Sequence, residues 1–263
     1  MAKQLDSPFV QLVDDLNDEL SSFVPPDEVT HVYNPLTYAR PNFLTFCHRF
    51  GTHTRQGQLR MKKGQVLLLG MNPGPWGMAQ TGVPFGSVSM VRDWLKIDEP
   101  IGRPDDEHPK RPVQGLACSR EEVSGARLWG WAREVFQTPA KFFKMFFVYN
   151  YCPLVFMEES GRNRTPDKLP VECRDFLTHA CNRALTKLID GLKPRMVVGV
   201  GAFAEKQARS CCDAAMPIGR ILHPSPASPL ANRDWAGTAT RQLIELGVLD
   251  QEPRANAATI LPT

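Results

Sequence analysis

The stretch VLLLGMNPGPWGMAQTGVPFG, from Val66 to Gly86, decides the fold. Val66 to Leu69 is an unbroken apolar run that follows Lys62 and Lys63. Such a run, bounded by turn residues, predicts a strand buried on both faces. Gly70 ends it. Beyond lie Asn72, Pro73, Gly74, Pro75, Gly77, Gly82, Pro84 and Gly86, which leave little room for helix or ladder. Proline fixes φ and removes a donor, and glycine lets backbone approach a ligand closely. Asn72 is a polar amide at the mouth of the strand. In an open α/β sheet that carboxyl end is where ligands bind.

Working outward, three more stretches read as strands: Phe146 to Tyr149, ending at Asn150; Met196 to Val200; and Ile218 to Leu222, which delivers His223. Helical patterns separate them. Ser87 is placed to cap a helix carrying Val88, Val91, Trp94 and Leu95. Ser119 and Glu122 have capping-box spacing before Val123, Leu128, Trp131 and Val135. Val171 to Leu192 shows an apolar face at Phe176, Leu177, Cys181, Leu185, Leu188 and Leu192. Gly201 opens a helix from Ala202 to Arg209, and Asp234 is placed to cap the last helix, with Leu243 and Leu246 inward. Strands alternating with helices predict a four-stranded parallel sheet with right-handed crossovers in one α/β domain, residues 1–263.

The remaining segments decorate that sheet. A helix over residues 6–24, with Phe9, Leu12, Val13, Leu16 and Leu20 at helical spacing, is expected on the outside; Pro8 suits its first turn and Pro25–Pro26 end it. Thr30 to Gln58 is aromatic and irregular, expected as a core-covering loop with a short helix, and Asn34, Pro35 and Tyr38 are candidate pocket residues. Ile97 to Gly115 reads as a long surface excursion. Glu158 to Pro170 reads as loop, and the tail 251–263 as frayed.

The composition, 42% hydrophobic and 22% charged over 263 residues, is an ordinary globular balance. A formal charge of +3 permits a nucleic-acid partner without demanding one. There is no apolar run of membrane-spanning length and no signal-peptide pattern at Met1–Asp6, so an intracellular protein without membrane contact is expected. Seven scattered cysteines with no C-x-x-C pair suit reduced thiols better than a disulfide framework. Cys47, His48 and His53 are the nearest approach to a metal cluster and lack a fourth ligand, so neither metal nor cofactor is expected. Lys110, Arg111, Arg120, Arg127 and Arg133 form a basic region that suits a solvated face or phosphate contact equally.

Asn72, Asn150 and His223 thus stand at strand ends on one edge of a parallel sheet, where residues distant in sequence meet. Phe85 adds a flat apolar wall. Two amides, an imidazole and an aromatic ring suit a neutral, planar, hydrogen-bonding ligand. An amide offers donor and acceptor to a nucleobase edge, and a ring stacks on any base face. No carboxylate sits at these strand ends, so no strong general base is evident. Taken singly, Asn72 reads as a turn residue, His223 as a structural donor, Asn150 as a strand end and Phe85 as core. A rival pattern, Gly199-x-Gly201-x-x-Ala204, has dinucleotide-binding spacing. It follows the third strand and lacks an acidic residue about twenty positions on, so close helix–strand packing explains it better.

The motifs together resemble the single-strand-selective monofunctional uracil-DNA glycosylase family. GMNPGPWGMAQTGVPFGSVSMVRDWL is similar to its first motif, NYCPL at Asn150 to Leu154 to its base-recognition segment, and HPSP at His223 to Pro226 to its second catalytic motif. EHPKRPVQGL, EVSGARLWG and NPLTYA also resemble it. The likeness runs from about Asn34 to Leu249 in matching order.

The resemblance implies a three-layer α/β/α fold around a central four-stranded parallel sheet. It implies removal of uracil and 5-substituted uracils such as 5-hydroxymethyluracil from single- and double-stranded DNA, by a monomer. Asn72 would position the attacking water, and His223 would stabilise charge on the departing base. Asn150 would read the Watson–Crick edge and Phe85 would stack on the flipped base. Backbone around Met71 and Gly74 would bind the base or a water. Pro224 to Trp235 would form a wedge entering the duplex, led by Pro224, Ser225, Pro226, Ala227, Ser228 and Pro229. Ala227 departs from the pattern, since vertebrate relatives carry Arg there, which implies a weaker grip on duplex DNA. The protein is expected in the nucleus of a eukaryote or the cytoplasm of a bacterium. A damage-binding protein without catalysis is the alternative, and intact Asn72 and His223 argue against it.

Overall fold

In the computed structural model, which describes residues 7–250, the chain runs α1 (Pro8–Leu20), β1 (His31–Tyr33), α2 (Pro35–Tyr38), α3 (Arg40–Gly51), β2 (Thr52–Arg55), β3 (Gln58–Met61), β4 (Val66–Gly70), α4 (Met78–Thr81), α5 (Val123–Phe136), α6 (Pro139–Met145), β5 (Phe146–Asn150), β6 (Val155–Met157), β7 (Asn163–Arg164), α7 (Val171–Leu192), β8 (Met196–Val200), α8 (Ala202–Cys211), β9 (Ile218–Ile221) and α9 (Pro229–Glu245).

The four strands read from the sequence form one parallel sheet in the order β5-β4-β8-β9. Every residue of β4 and β5 is buried, as continuous apolar runs in a two-sided parallel sheet require. The register pairs Gly70 with Asn150, so the ends of β4 and β5 are neighbours. Helices flank both faces, giving three α/β/α layers: α1, α7 and α8 pack together, as do α5, α6 and α9. In α1, Ser7 accepts from the Phe9 N–H and Pro8 occupies the first turn. Phe9 is fully buried and its ring lies 5.6 Å from that of Phe147. Its truncation to Ala is expected to cost about 3–5 kcal/mol. The helix stops at Leu20, four residues short of the expected end. At Gly199 an added Cβ would come within 2.6 Å of Glu205 Cα, so this glycine serves close helix–strand packing.

Several expectations are corrected. Thr30 to Gln58 is not mainly loop: α3 buries Phe43, Phe46, Cys47 and Phe50 on one face, with Pro41 in its first turn. Asn34 caps α2 and the Tyr38 hydroxyl donates to the Ala79 carbonyl, so neither lines the strand-end cavity. An antiparallel sheet β1-β6-β7 and a β2–β3 hairpin were not anticipated. The hairpin turns through Gln56 and Gly57, both at positive φ, the twist that suits a two-residue turn. The glycine-rich stretch carries one helical turn, α4. Ser87 donates to Glu121 instead of capping, and Met90–Trp94 winds as a π-helix.

The excursion after Ile97 is anchored inward, with His108 and Val113 buried and the His108 N–H donating to the Tyr33 hydroxyl. Glu158 to Pro170 contains β7 and a short 3-10 turn. Asp234 does act as a cap, its carboxylate accepting from the Gly237 N–H at a kink within α9, while Ser228 caps the segment before it. The cysteines are free and four are buried. Among the described residues, no helix is long and apolar enough to cross a membrane. The expected tail lies outside the described residues.

Candidate active site

The parallel register fixes where the strand-end groups meet. Beyond β4 the chain is tied to the segment after β5, with the Tyr151 N–H donating to the Gly70 carbonyl and the Cys152 N–H to that of Met71, both at 2.9 Å. Asn72 is held between them: its Nδ2 donates to the Leu154 carbonyl at 3.1 Å. That bond fixes the amide's rotation, and Oδ1 remains as an acceptor.

Gly70 carries no side chain because two others cross above it. A Cβ there would collide with Asn150 Oδ1 and fall 2.7 Å from Phe85 Cζ. Asn150 is buried, and its Nδ2 makes a bond at 3.3 Å to Met78 Sδ, a soft acceptor. Phe85 has φ of +54°, a conformation that costs a non-glycine residue about 1–3 kcal/mol. The packing that holds it is visible: a Cβ on Gly125 of α5 would sit 3.0 Å from the Phe85 carbonyl carbon. The strain turns the ring into the cleft, 6.2 Å from the His223 ring and tilted 42° to it.

His223 follows β9. The Leu222 N–H donates to Gln242 Oε1 and the Trp235 indole N–H to the Leu222 carbonyl, both at 2.7 Å, so α9 grips the residue before it. Burial lowers the His223 pKa to about 4, leaving the imidazole neutral at pH 7, with one N–H to donate. The next residues are gripped by Arg127, which donates to the carbonyls of Pro224 and Ser225 at 3.2 and 3.3 Å and to Asn232 Oδ1 at 2.8 Å. Ser225 and Pro226 reach the cavity, Pro224 is buried, and Ala227 is exposed. Pro229 already belongs to α9, and beside it Leu230 is an exposed apolar side chain.

Met71, Asn72, Gly74, Phe85, Asn150 and His223 all line one cavity of about 160 Å³, so each strand-end candidate is brought there. At ~30 Å³ per water this is room for a single-ring molecule. A larger depression of about 1020 Å³ lies at the opposite edge of the sheet, near Lys62, Lys63 and Gln65, remote from these groups.

Among the other residues that line the strand-end cavity, three bear on its chemistry. Asn163 donates to the Pro73 carbonyl at 3.4 Å, and its Oδ1 is a buried acceptor without a partner among the described residues. It comes from β7, with Thr165 just beyond, in a stretch read as loop. Glu122 is the third, and it overturns two expectations. It makes no capping bond to α5. Its carboxylate accepts instead from the Trp76 N–H and the Ser124 hydroxyl, both at 3.3 Å. A carboxylate therefore does reach the site, from a helix start and not from a strand end. Burial pushes its pKa up, against the lowering effect of those two donors. A Cβ on Gly74 would lie 2.6 Å from Glu122 Cδ, which explains that glycine, although nothing local in the sequence links the two.

The cavity thus presents a fixed amide acceptor, a second amide, a neutral imidazole and an aromatic wall. A planar heterocycle held there has one face on Phe85 and polar groups around its edge.

The Uracil DNA glycosylase superfamily model matches residues 57–244. A bovine (Bos taurus) single-strand selective monofunctional uracil DNA glycosylase is 47% identical over 237 residues, spanning 89% of this chain and 84% of its own. The Mus musculus protein of the same description is 46% identical over 237 residues, 89% of this chain and 82% of its own. The crystal structure of wild-type Pedobacter heparinus SMUG2 superposes with a TM-score of 0.62 at 15% identity, covering 91% of this chain and 98% of that one, a likeness of fold.

Proposed function

Since the chain belongs to the uracil DNA glycosylase superfamily, we propose that it is a monofunctional DNA glycosylase of base excision repair. It hydrolyses the N-glycosyl bond of uracil and of 5-substituted uracils such as 5-hydroxymethyluracil, and leaves an abasic site. It acts as a monomer on single- and double-stranded DNA, in the nucleus or bacterial cytoplasm according to its host. The observation that carries the reading is the convergence of Asn72, Phe85, Asn150 and His223 on one cavity sized for a single ring.

The chemistry follows from those groups. Breaking the bond leaves positive charge on the sugar and negative charge on the base. A bond that breaks ahead of water attack needs no strong base. Asn72 Oδ1, its amide pinned by Leu154, accepts from the water and aims its oxygen at the sugar carbon. The neutral His223 donates to the uracil oxygen on which charge collects. Such a preset dipole in a dry site is the largest usual contribution to barrier lowering. Asn150 offers the base edge its Oδ1 and the Nδ2 hydrogen not directed at Met78, and Phe85 supports the plane of the base. No lysine lines the cavity among the described residues, in keeping with base release without strand cleavage. The target base must leave its stack to enter, which costs least in single strands and mismatches.

The test is base release from a uracil-containing oligonucleotide, single-stranded and paired. Release of free uracil with an intact, alkali-labile strand is expected. No release in either form would falsify the reading.

A further inference from the structure

Trp76 lies in the loop that carries Asn72, and two arginines from other segments reach it. Arg120 Cζ is 4.5 Å and Arg111 Cζ 5.1 Å from the indole centroid. Arg120 is exposed and has no ion pair or side-chain hydrogen bond among the described residues. Arg111 donates through Nη1 to the Lys110 carbonyl at 2.7 Å, and its buried Nε has no partner among the described residues. Among the described residues neither guanidinium forms an ion pair with a carboxylate; the nearby Glu121 accepts from Ser87, and Glu122 from Trp76 N–H and Ser124.

Two unpaired cations on one ring repel each other, and the electron-rich face only partly offsets this. An anion bound at these guanidinium N–H groups relieves the repulsion. The position narrows the anion's identity. Glu122, whose carboxylate holds the Trp76 backbone, lines the cavity that takes the base. A strand whose base enters that cavity must run its backbone along the rim, and Trp76 is tied to one residue of that rim.

We propose that Arg120 and Arg111, oriented by the indole of Trp76, form a phosphodiester clamp for the strand that carries the target nucleotide. The inference rests on the DNA-glycosylase reading and adds a contact to it. For these two arginines it takes phosphate contact over a merely solvated face.

The experiment is a salt titration of binding to a short single-stranded oligonucleotide carrying a tetrahydrofuran abasic analogue. Each phosphate neutralised on a single strand contributes about 0.7 to the slope of log K against log salt. Arg120→Gln is expected to bind several-fold more weakly at low salt and to lose about 0.7 of slope. Arg120→Lys, which keeps the charge and loses the planar fork, is expected to keep the slope. Trp76→Leu keeps both cations and loses their platform, so affinity falls with the slope retained. Lys63→Gln, at the opposite edge of the sheet, is expected to match wild type. An unchanged slope in Arg120→Gln, or an equal loss in Lys63→Gln, overturns the clamp. Uracil release is measured alongside: release by wild type with an unaltered slope in Arg120→Gln rejects the clamp alone, whereas no release by wild type rejects the enzymatic reading whatever the slopes show.

Discussion

The Asn72 amide nitrogen donates to the Leu154 carbonyl at 3.1 Å, and that bond leaves Oδ1 as the amide's free acceptor. Replacing Asn72 by Ala removes the acceptor and is expected to lower single-turnover base release on the order of 10²-fold or more, with the oligonucleotide Kd little changed. Asn72→Asp is the sharper variant. It sets a carboxylate oxygen against a carbonyl oxygen, so the side chain must turn away or bind a proton. Its expected activity at pH 7 lies well below wild type, although a carboxylate is the stronger base. An Asp variant as fast as wild type would show that the Leu154 contact does not orient the group.

The neutral His223 makes two measurable statements. A donor whose pKa is about 4 does not titrate near 6.5, so the wild-type rate should show no His step between pH 5 and 8. His223→Gln is expected to lose about 10²–10³ in kcat. Stability has a defined sign. The folded pKa is depressed below the unfolded value of 6.5, so between those two values the unfolded chain binds more protons. The contribution is fully present above pH 6.5 and is lost as pH falls towards 4, on the order of 3 kcal/mol in all. Glu122, with its raised pKa, runs the opposite way, so the difference between wild type and His223→Gln isolates the imidazole. Urea midpoints at pH 7 and pH 5 should fall further for wild type than for the variant.

Arg127 holds the loop from Pro224 to Ser228, the expected wedge, without lining the strand-end cavity. Its guanidinium holds two successive carbonyls and the Asn232 side chain. Hydrogen bonds from a charged donor contribute about 1.5–3 kcal/mol. Arg127→Met keeps the aliphatic stem and frees the loop from Pro224 to Ser228. Excision from duplex DNA is expected to drop about tenfold or more, mainly through KM, with single-stranded substrate near wild type. Equal losses on both substrates would place Arg127 in the chemistry or in general folding.

The sheet was legible because β4, β5 and β8 are short apolar runs flanked by turn residues and buried almost throughout, while β9, an edge strand with Arg220 exposed, was legible from its place in the alternation of strands and helices. The cleft followed from it, since parallel strands bring their carboxyl ends to one edge. Three things were not legible, for different reasons. Strands of two or three residues, such as Asn163–Arg164, are too short for any period. In α3 the period was present at Phe43, Phe46, Cys47 and Phe50, but Pro41 and the aromatic density resembled a loop. Glu122 matched a capping box by spacing, and a tertiary donor, the Trp76 N–H, took its carboxylate instead. Local pattern cannot show such a contact between segments 46 residues apart.

That contact yields the last prediction. The Glu122 carboxylate occupies the space that a side chain on residue 74 would need, with Cδ 2.6 Å and Oε1 3.0 Å from an ideal Cβ. Gly74→Ala must therefore push the loop after β4 or the carboxylate aside. Either movement displaces the backbone that runs from Asn72 to Trp76, and misplacement of about 1 Å costs ~10²-fold in rate. Glu122→Ala alone also lowers activity, because the Trp76 N–H loses its acceptor. In the double variant the added methyl fits the space vacated by the carboxylate, so part of the Gly74→Ala loss is recovered and the two effects are non-additive. Single-turnover rates of all four proteins measure the coupling. Strict additivity would mean that Gly74 is required for contact with the base itself, and that Glu122 holds the loop only through Trp76.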